Sequence, residues 1–149
     1  MLNFNETDSF EVDLSSGVAA FDSKNFSMAY QLLAPLADAG NPESQWRIGM
    51  MQMNGLGMLE NQTLGFENFT KAASKGHPFA HHMIAVAYMS GEGVDKDIAK
   101  AIEWFERAAE FNIAGPMYAL GMLFEQGNGV DQDLEKAQSW YDRADNVNT

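Results

Sequence analysis

Apolar residues recur along this chain at steps of three and four, in blocks that repeat every thirty-six residues. Within residues 79–114, Ala80, Ile84, Ala87 and Tyr88 fall on one face of a helix. Gly91 and Gly93 then stop it, because glycine enters the left-handed conformation that closes a helix without steric cost. Asp97 is placed to cap the next helix, its carboxylate accepting from otherwise unpaired amides. Ala101, Trp104, Phe105, Ala108 and Ala109 supply the buried stripe of that second helix. The pattern therefore predicts a pair of helices joined by a glycine-bearing loop.

The same unit returns on both sides. Gly55-Leu56-Gly57 matches Gly91-Glu92-Gly93 and Gly127-Asn128-Gly129, and Ile48, Ile84 and Leu120 align. So do Phe69, Phe105 and Tyr141, and Ala72, Ala108 and Ala144. Gly40, Gly76, Asn112 and Asn148 share one phase, where glycine or asparagine suits a left-handed helix end. Pro42 and Pro78 follow two residues after the glycines, where a missing amide hydrogen costs nothing at a helix start. A period of this length is the mark of stacked helix pairs that bury their apolar faces against one another.

The first full repeat departs from the others. Asn61 replaces the aspartate cap, Gly65 the small core alanine and Asn68 the tryptophan, which predicts looser packing there. Upstream, Ala29, Leu33, Leu36 and Ala37 match a second helix, preceded by a shortened first helix around Val18, Phe21 and Asp22. The organisation expected is an acidic lead over residues 1–13, read as a candidate disordered segment, and a repeat domain over 14–149. The latter divides into a half-degenerate unit, 14–42, and repeats 43–78, 79–114 and 115–149.

From about Gly17 to Asn148 the chain resembles the Sel1-like repeat family, relatives of tetratricopeptide repeats with a longer internal loop. The resemblance rests on Tyr118-Ala119-Leu120-Gly121, Gly127-Asn128-Gly129-Val130, Asp133, Lys136-Ala137 and Trp140-Tyr141-Asp142-Arg143-Ala144. The middle repeat repeats it in Gly91-Glu92-Gly93-Val94, Asp97, Lys100-Ala101 and Trp104-Phe105-Glu106-Arg107-Ala108-Ala109. Asp145 stands where the family usually has alanine. The resemblance implies an all-α fold, a right-handed α/α superhelix of about four antiparallel helix pairs. It also implies an adaptor or scaffold in protein–protein interaction, often bacterial, with no catalytic motif. The function expected is an adaptor or regulator that binds a protein or peptide segment in its concave groove.

In stacked helix pairs the first helices line the concave side. Setting aside the core positions leaves Trp46, Met50 and Met53, then His82, Val86 and Met89, then Tyr118, Met122 and Glu125 facing inward. Methionine repacks around different shapes, and tryptophan and tyrosine are frequent interface anchors. These nine are the candidate partner-binding residues, with Glu43, Asn54 and Gln126 joining Glu125 at the rim. The plainer alternative is that they complete the core between repeats.

Charge narrows the partner. The formal net charge is -12, which repels nucleic acid and favours either a basic partner or plain solubility. An inhibitor or immunity-type protein blocking a basic enzyme is therefore the competing functional reading. Self-assembly is another: Trp140 and Tyr141 on the last helix suggest a homodimer through an open C-terminal repeat edge. With no cysteine, disulfides, thiolate catalysis and cysteine-ligated zinc are excluded. The first residues carry neither a basic segment nor an apolar run, and no stretch approaches the ~20 apolar residues of a membrane span. The expectation is a soluble chain without membrane insertion, cytoplasmic as written and periplasmic if a leader has been removed.

Catalytic and metal constellations are weak. His77 and His81 have a helical ligand spacing, with Glu43 or Glu110 as conceivable third ligands, but Pro78 puts His77 at or before the helix start. His77, His81 and His82 read as ordinary loop and interface histidines. Asp95 with Asp97, and Asp131 with Asp133, lack the later oxygens of a calcium loop and read as helix caps. The glycine pairs end helices, whereas phosphate cradles open them. Ser74, Ser90 and Ser139 have no base at predictable reach. No enzyme activity, metal or cofactor is expected.

Overall fold

Helix ends fall where the glycines and caps put them. Gly55 and Gly127 take φ of 66° and 63°, and their amides donate to Met51 and Leu123 to close the helices Pro42–Asn54 and Ala114–Gln126. Asp97 and Asp133 accept from the amides of Lys100 and Lys136 at 3.0 and 2.9 Å, opening the helices Ile98–Ala109 and Leu134–Asp145. Asn61 does the same for Leu64 at 3.1 Å, so the asparagine works as a cap too. Gly40, Gly76 and Asn112 all have positive φ, as their common phase demands. Asn148 lies outside the described residues.

The computed structural model describes residues 6–147. Among them are eight α-helices and no strand: α1 Glu6–Asp22, α2 Phe26–Asp38, α3 Pro42–Asn54, α4 Gln62–Ser74, α5 Pro78–Ser90, α6 Ile98–Ala109, α7 Ala114–Gln126 and α8 Leu134–Asp145. They form two compact units, Met1–His77 with α1–α4 and Pro78–Thr149 with α5–α8. Short connections fold each pair back on itself, as in other helical hairpin repeats.

In the first unit Ala20, Ala29, Leu33, Leu36, Ala37, Ile48 and Met51 are buried together. In the second, Ala85, Ala101, Phe105, Leu120, Leu123, Phe124 and Ala137 play the same part. One contact recurs at an offset of twenty residues. A β-carbon at Gly49 would stand 2.9 Å from the Phe69 ring, and one at Gly121 would collide with Tyr141. The small residue on the first helix makes room for the aromatic ring on the second.

Two expectations need correction. Residues 6–13, read as part of a loose lead, are helical and continuous with α1, which at 17 residues is no shortened helix. Phe10 and Leu14 pack on the core of the first unit beside Phe21, so α1 carries an apolar stripe that its acidic residues obscure. Residues 1–5 of the lead lie outside the described residues.

The second correction concerns Gly65, expected to loosen repeat one. A β-carbon there would sit 2.9 Å from the Met53 amide nitrogen and 3.0 Å from the Gly49 carbonyl oxygen. Gly65 thus permits a close backbone approach of α4 to α3. Asn68, in the tryptophan position, donates to Gln52 Oε1 at 2.7 Å across the same helix pair.

Candidate functional site

The nine candidate residues divide between the two units and differ sharply in accessibility. In the first unit Met53 is only 3% exposed. The close crossing at Gly65 draws it into the core, so Met53 leaves the candidate surface. Trp46 is half-buried and stacks on His77, ring centroids 5.1 Å apart. Met50 is half-buried as well.

A charged network surrounds that stack. Arg47 Nη1 donates to Asp22 and its Nε to Glu43, each at 2.8 Å, and its guanidinium lies 4.9 Å from the Phe21 ring centroid. Glu43 Oε2 is 2.6 Å from His77 Nε2. The hydrogen bond from His77 holds the Glu43 carboxyl below its ordinary range, burial opposing and Arg47 assisting. Glu43, expected at a groove rim, therefore ties α3 to His77 and holds the Arg47 guanidinium that reaches Asp22 on α1. Among the described residues, no cluster of three or more His, Asp or Glu side chains is placed to hold a metal ion.

In the second unit His82 packs 5.5 Å from the Phe105 ring, its Nδ1 shielded from solvent without a hydrogen bond. Burial pushes its pKa down, so it is neutral near pH 7. Val86 and Met89 pack partly against the core cluster. His81 lies over Trp104 and Phe111 at 5.6 and 5.1 Å.

Helix α7 differs. Tyr118 is 41% and Met122 51% exposed, four residues apart on one face. Glu125 follows on the same stripe and is exposed. From α8, Tyr141 donates its hydroxyl to Glu125 Oε2 at 2.5 Å, while Tyr118 donates to Asp145 Oδ1 at 2.6 Å. The two tyrosine rings lie 6.3 Å apart. Hydrogen bonding to the Glu125 carboxylate pushes Tyr141 up to about 12, and Asp145 raises Tyr118 in the same way.

Sequence reasoning placed Tyr118, Met122 and Glu125 on this face and missed Tyr141 and Asp145. Both signals were present. Tyrosine replaces phenylalanine in the Phe69, Phe105, Tyr141 series, and the added hydroxyl has to find a polar partner outside the core. Asp145 was already out of pattern. Trp140, expected at an open edge, is half-buried beneath the Arg143 guanidinium, 5.1 Å from its ring.

The comparisons agree with this architecture. Sel1 repeats match at residues 20–41, 42–77, 78–110 and 117–144, and the chain belongs to the Sel1 repeat family. Among solved structures, a Sel1 repeat protein from Oxalobacter formigenes is similar, with a TM-score of 0.80 and 31% identity over 89% of this chain and 54% of that one. The c5321 protective antigen of uropathogenic Escherichia coli, which displays the same repeat fold, has a TM-score of 0.83 and 28% identity, covering 94% of this chain and 31% of its own. Helicobacter pylori cysteine rich protein B shares the fold at 16% identity and a TM-score of 0.58, covering 99% of this chain and 95% of its own. The chain thus spans about half the length of the first of these and a third of the second. A search of curated proteins returned no match.

Sel1 repeats are in general non-catalytic protein–protein interaction modules. No helix among the described residues is long and apolar enough to cross a membrane.

Proposed function

We propose that this chain is an adaptor or regulator that binds a protein segment through the exposed face of its first helices, with Tyr118 and Met122 as principal contacts. The observation that carries the reading is the exposure of these two large side chains on a helix whose other apolar residues are packed. A tyrosine and a methionine side by side offer a broad, adaptable apolar surface at small entropic cost. Their hydroxyl and thioether lie on a rigid helix rather than a loop, which keeps the surface preorganised. The half-buried Trp46, Met50, His82, Val86 and Met89 act chiefly as support within their own units.

The test is retention from native lysate by the immobilised chain, comparing wild type with a Tyr118→Ala/Met122→Ala variant. A stoichiometric partner kept by the first and lost by the second, with matching thermal melts, supports the assignment. Equal retention by both would remove α7 as the binding face.

A further inference from the structure

We propose that the α7–α8 face formed by Tyr118, Met122, Tyr141, Glu125 and Asp145 recognises a lysine or arginine side chain on a basic partner segment. The inference rests on the interaction reading above and names the chemistry of its occupant.

Three features of the face lead there. The first is unbalanced charge. Glu125 and Asp145 each accept one tyrosine hydroxyl, and neither forms an ion pair among the described residues. The cations on α8 are engaged elsewhere: Arg143 donates to the Ala109 carbonyl oxygen at 3.4 Å and covers Trp140, while Lys136 lies 4.7 Å from the Phe124 ring. Each carboxylate keeps its other oxygen for an outside donor.

The second feature is the surface between the carboxylates. Two tyrosine rings tilted by 38° and an exposed methionine give an apolar bed for the methylene stem of a long basic side chain. The ring faces attract a cation held within about 6 Å of their centroids. The third is fixation. The hydroxyl-to-carboxylate bonds tie α7 to α8 at two points, so rings and acids are ordered before anything binds. Hydrogen bonding to these same carboxylates is what raises both tyrosine hydroxyls. A neutral segment would leave both carboxylates without a counter-charge, and an acidic one would be repelled.

The probe is a twelve-residue amphipathic peptide of leucine, alanine and lysine, paired with an analogue in which norleucine replaces every lysine. Binding is followed by the Met122 methyl resonance and the backbone amides of residues 118–125 and 141–145. The expected result is saturable shifts at those positions with the lysine peptide. Affinity should be at least about tenfold weaker for the norleucine analogue and for a Glu125→Gln/Asp145→Asn variant. Both amides still accept the tyrosine hydroxyls, so an unchanged melt separates lost recognition from lost folding.

Equal binding of the norleucine analogue, or unchanged affinity of the double variant, would overturn the cation assignment while leaving the interaction reading intact. Shifts spread over other acidic surfaces, or none up to millimolar peptide, would overturn the site. Shifts that depend on protein concentration without peptide would make a second copy the occupant. Failure of the broader reading looks different: the natural partner would still be retained by Tyr118→Ala/Met122→Ala.

Discussion

At the scale of single residues, one glycine and one half-buried charge carry much of the geometry. The glycine is Gly65. A methyl group there meets backbone atoms of Met53 and Gly49, which cannot move without separating α3 from α4. Gly65→Ala should therefore cost about 1–3 kcal/mol in chemical denaturation, although alanine is the better helix former. A neutral or stabilising result would mean the two helices are not held so closely. Sequence alone reads that glycine as a defect, because the pattern shows what a repeat usually has and not how closely its backbones approach. The internal contacts of Glu43 were likewise not legible, since the Asp22–Arg47 and His77 contacts join residues far apart in the chain.

Glu43 also gives a pH prediction. Its folded pKa lies below the ordinary 4.5, so its stabilisation is fully present above that value and is lost as pH falls through the lower folded one. Stability differences between wild type and Glu43→Gln should be largest well above pH 4.5 and shrink as the pH falls progressively below it. A difference that persists unchanged into acid would show that the carboxylate charge is not what matters.

Among the helices, caps and glycine-bearing loops were the most legible features. Asp97 and Asp133 cap where their spacing placed them, Asn61 caps despite its departure from aspartate, and positive φ falls on the expected glycines and on Asn112. Asp133→Ala should cost about 1 kcal/mol and fray the start of α8, visible as faster amide exchange at Lys136. Unaltered exchange there would argue that other contacts hold the helix start. Helix α1 was the least legible element. Its Phe10 and Leu14 are spaced for one face, yet Glu6, Asp8, Glu11 and Asp13 dominate the composition and mask the stripe. Phe10→Ala with Leu14→Ala should lower helicity and the melting temperature together, whereas an unpacked lead would tolerate both.

For the whole molecule, a thirty-six-residue period fixes the family and the all-α fold because packing constrains every position that repeats. Function is written in the positions packing leaves free, where no repeat enforces agreement. That is why nine equivalent-looking residues turned out to include a core methionine, several half-buried supports and one open face on α7. The net charge of -12 belongs to this scale as well. If the partner is basic, its affinity should fall steadily as salt rises from 50 to about 500 mM, as screening shortens the reach of the acidic surface. Salt-independent binding would leave the apolar contact alone as the source of affinity.

The central claim is that Tyr118 and Met122 form the binding surface. It is tested most directly by titrating the retained partner, by calorimetry, against wild type and Tyr118→Ala/Met122→Ala. The account predicts a loss of more than about 2 kcal/mol with folding intact. An affinity unchanged within error, from a variant that melts like wild type, would contradict it.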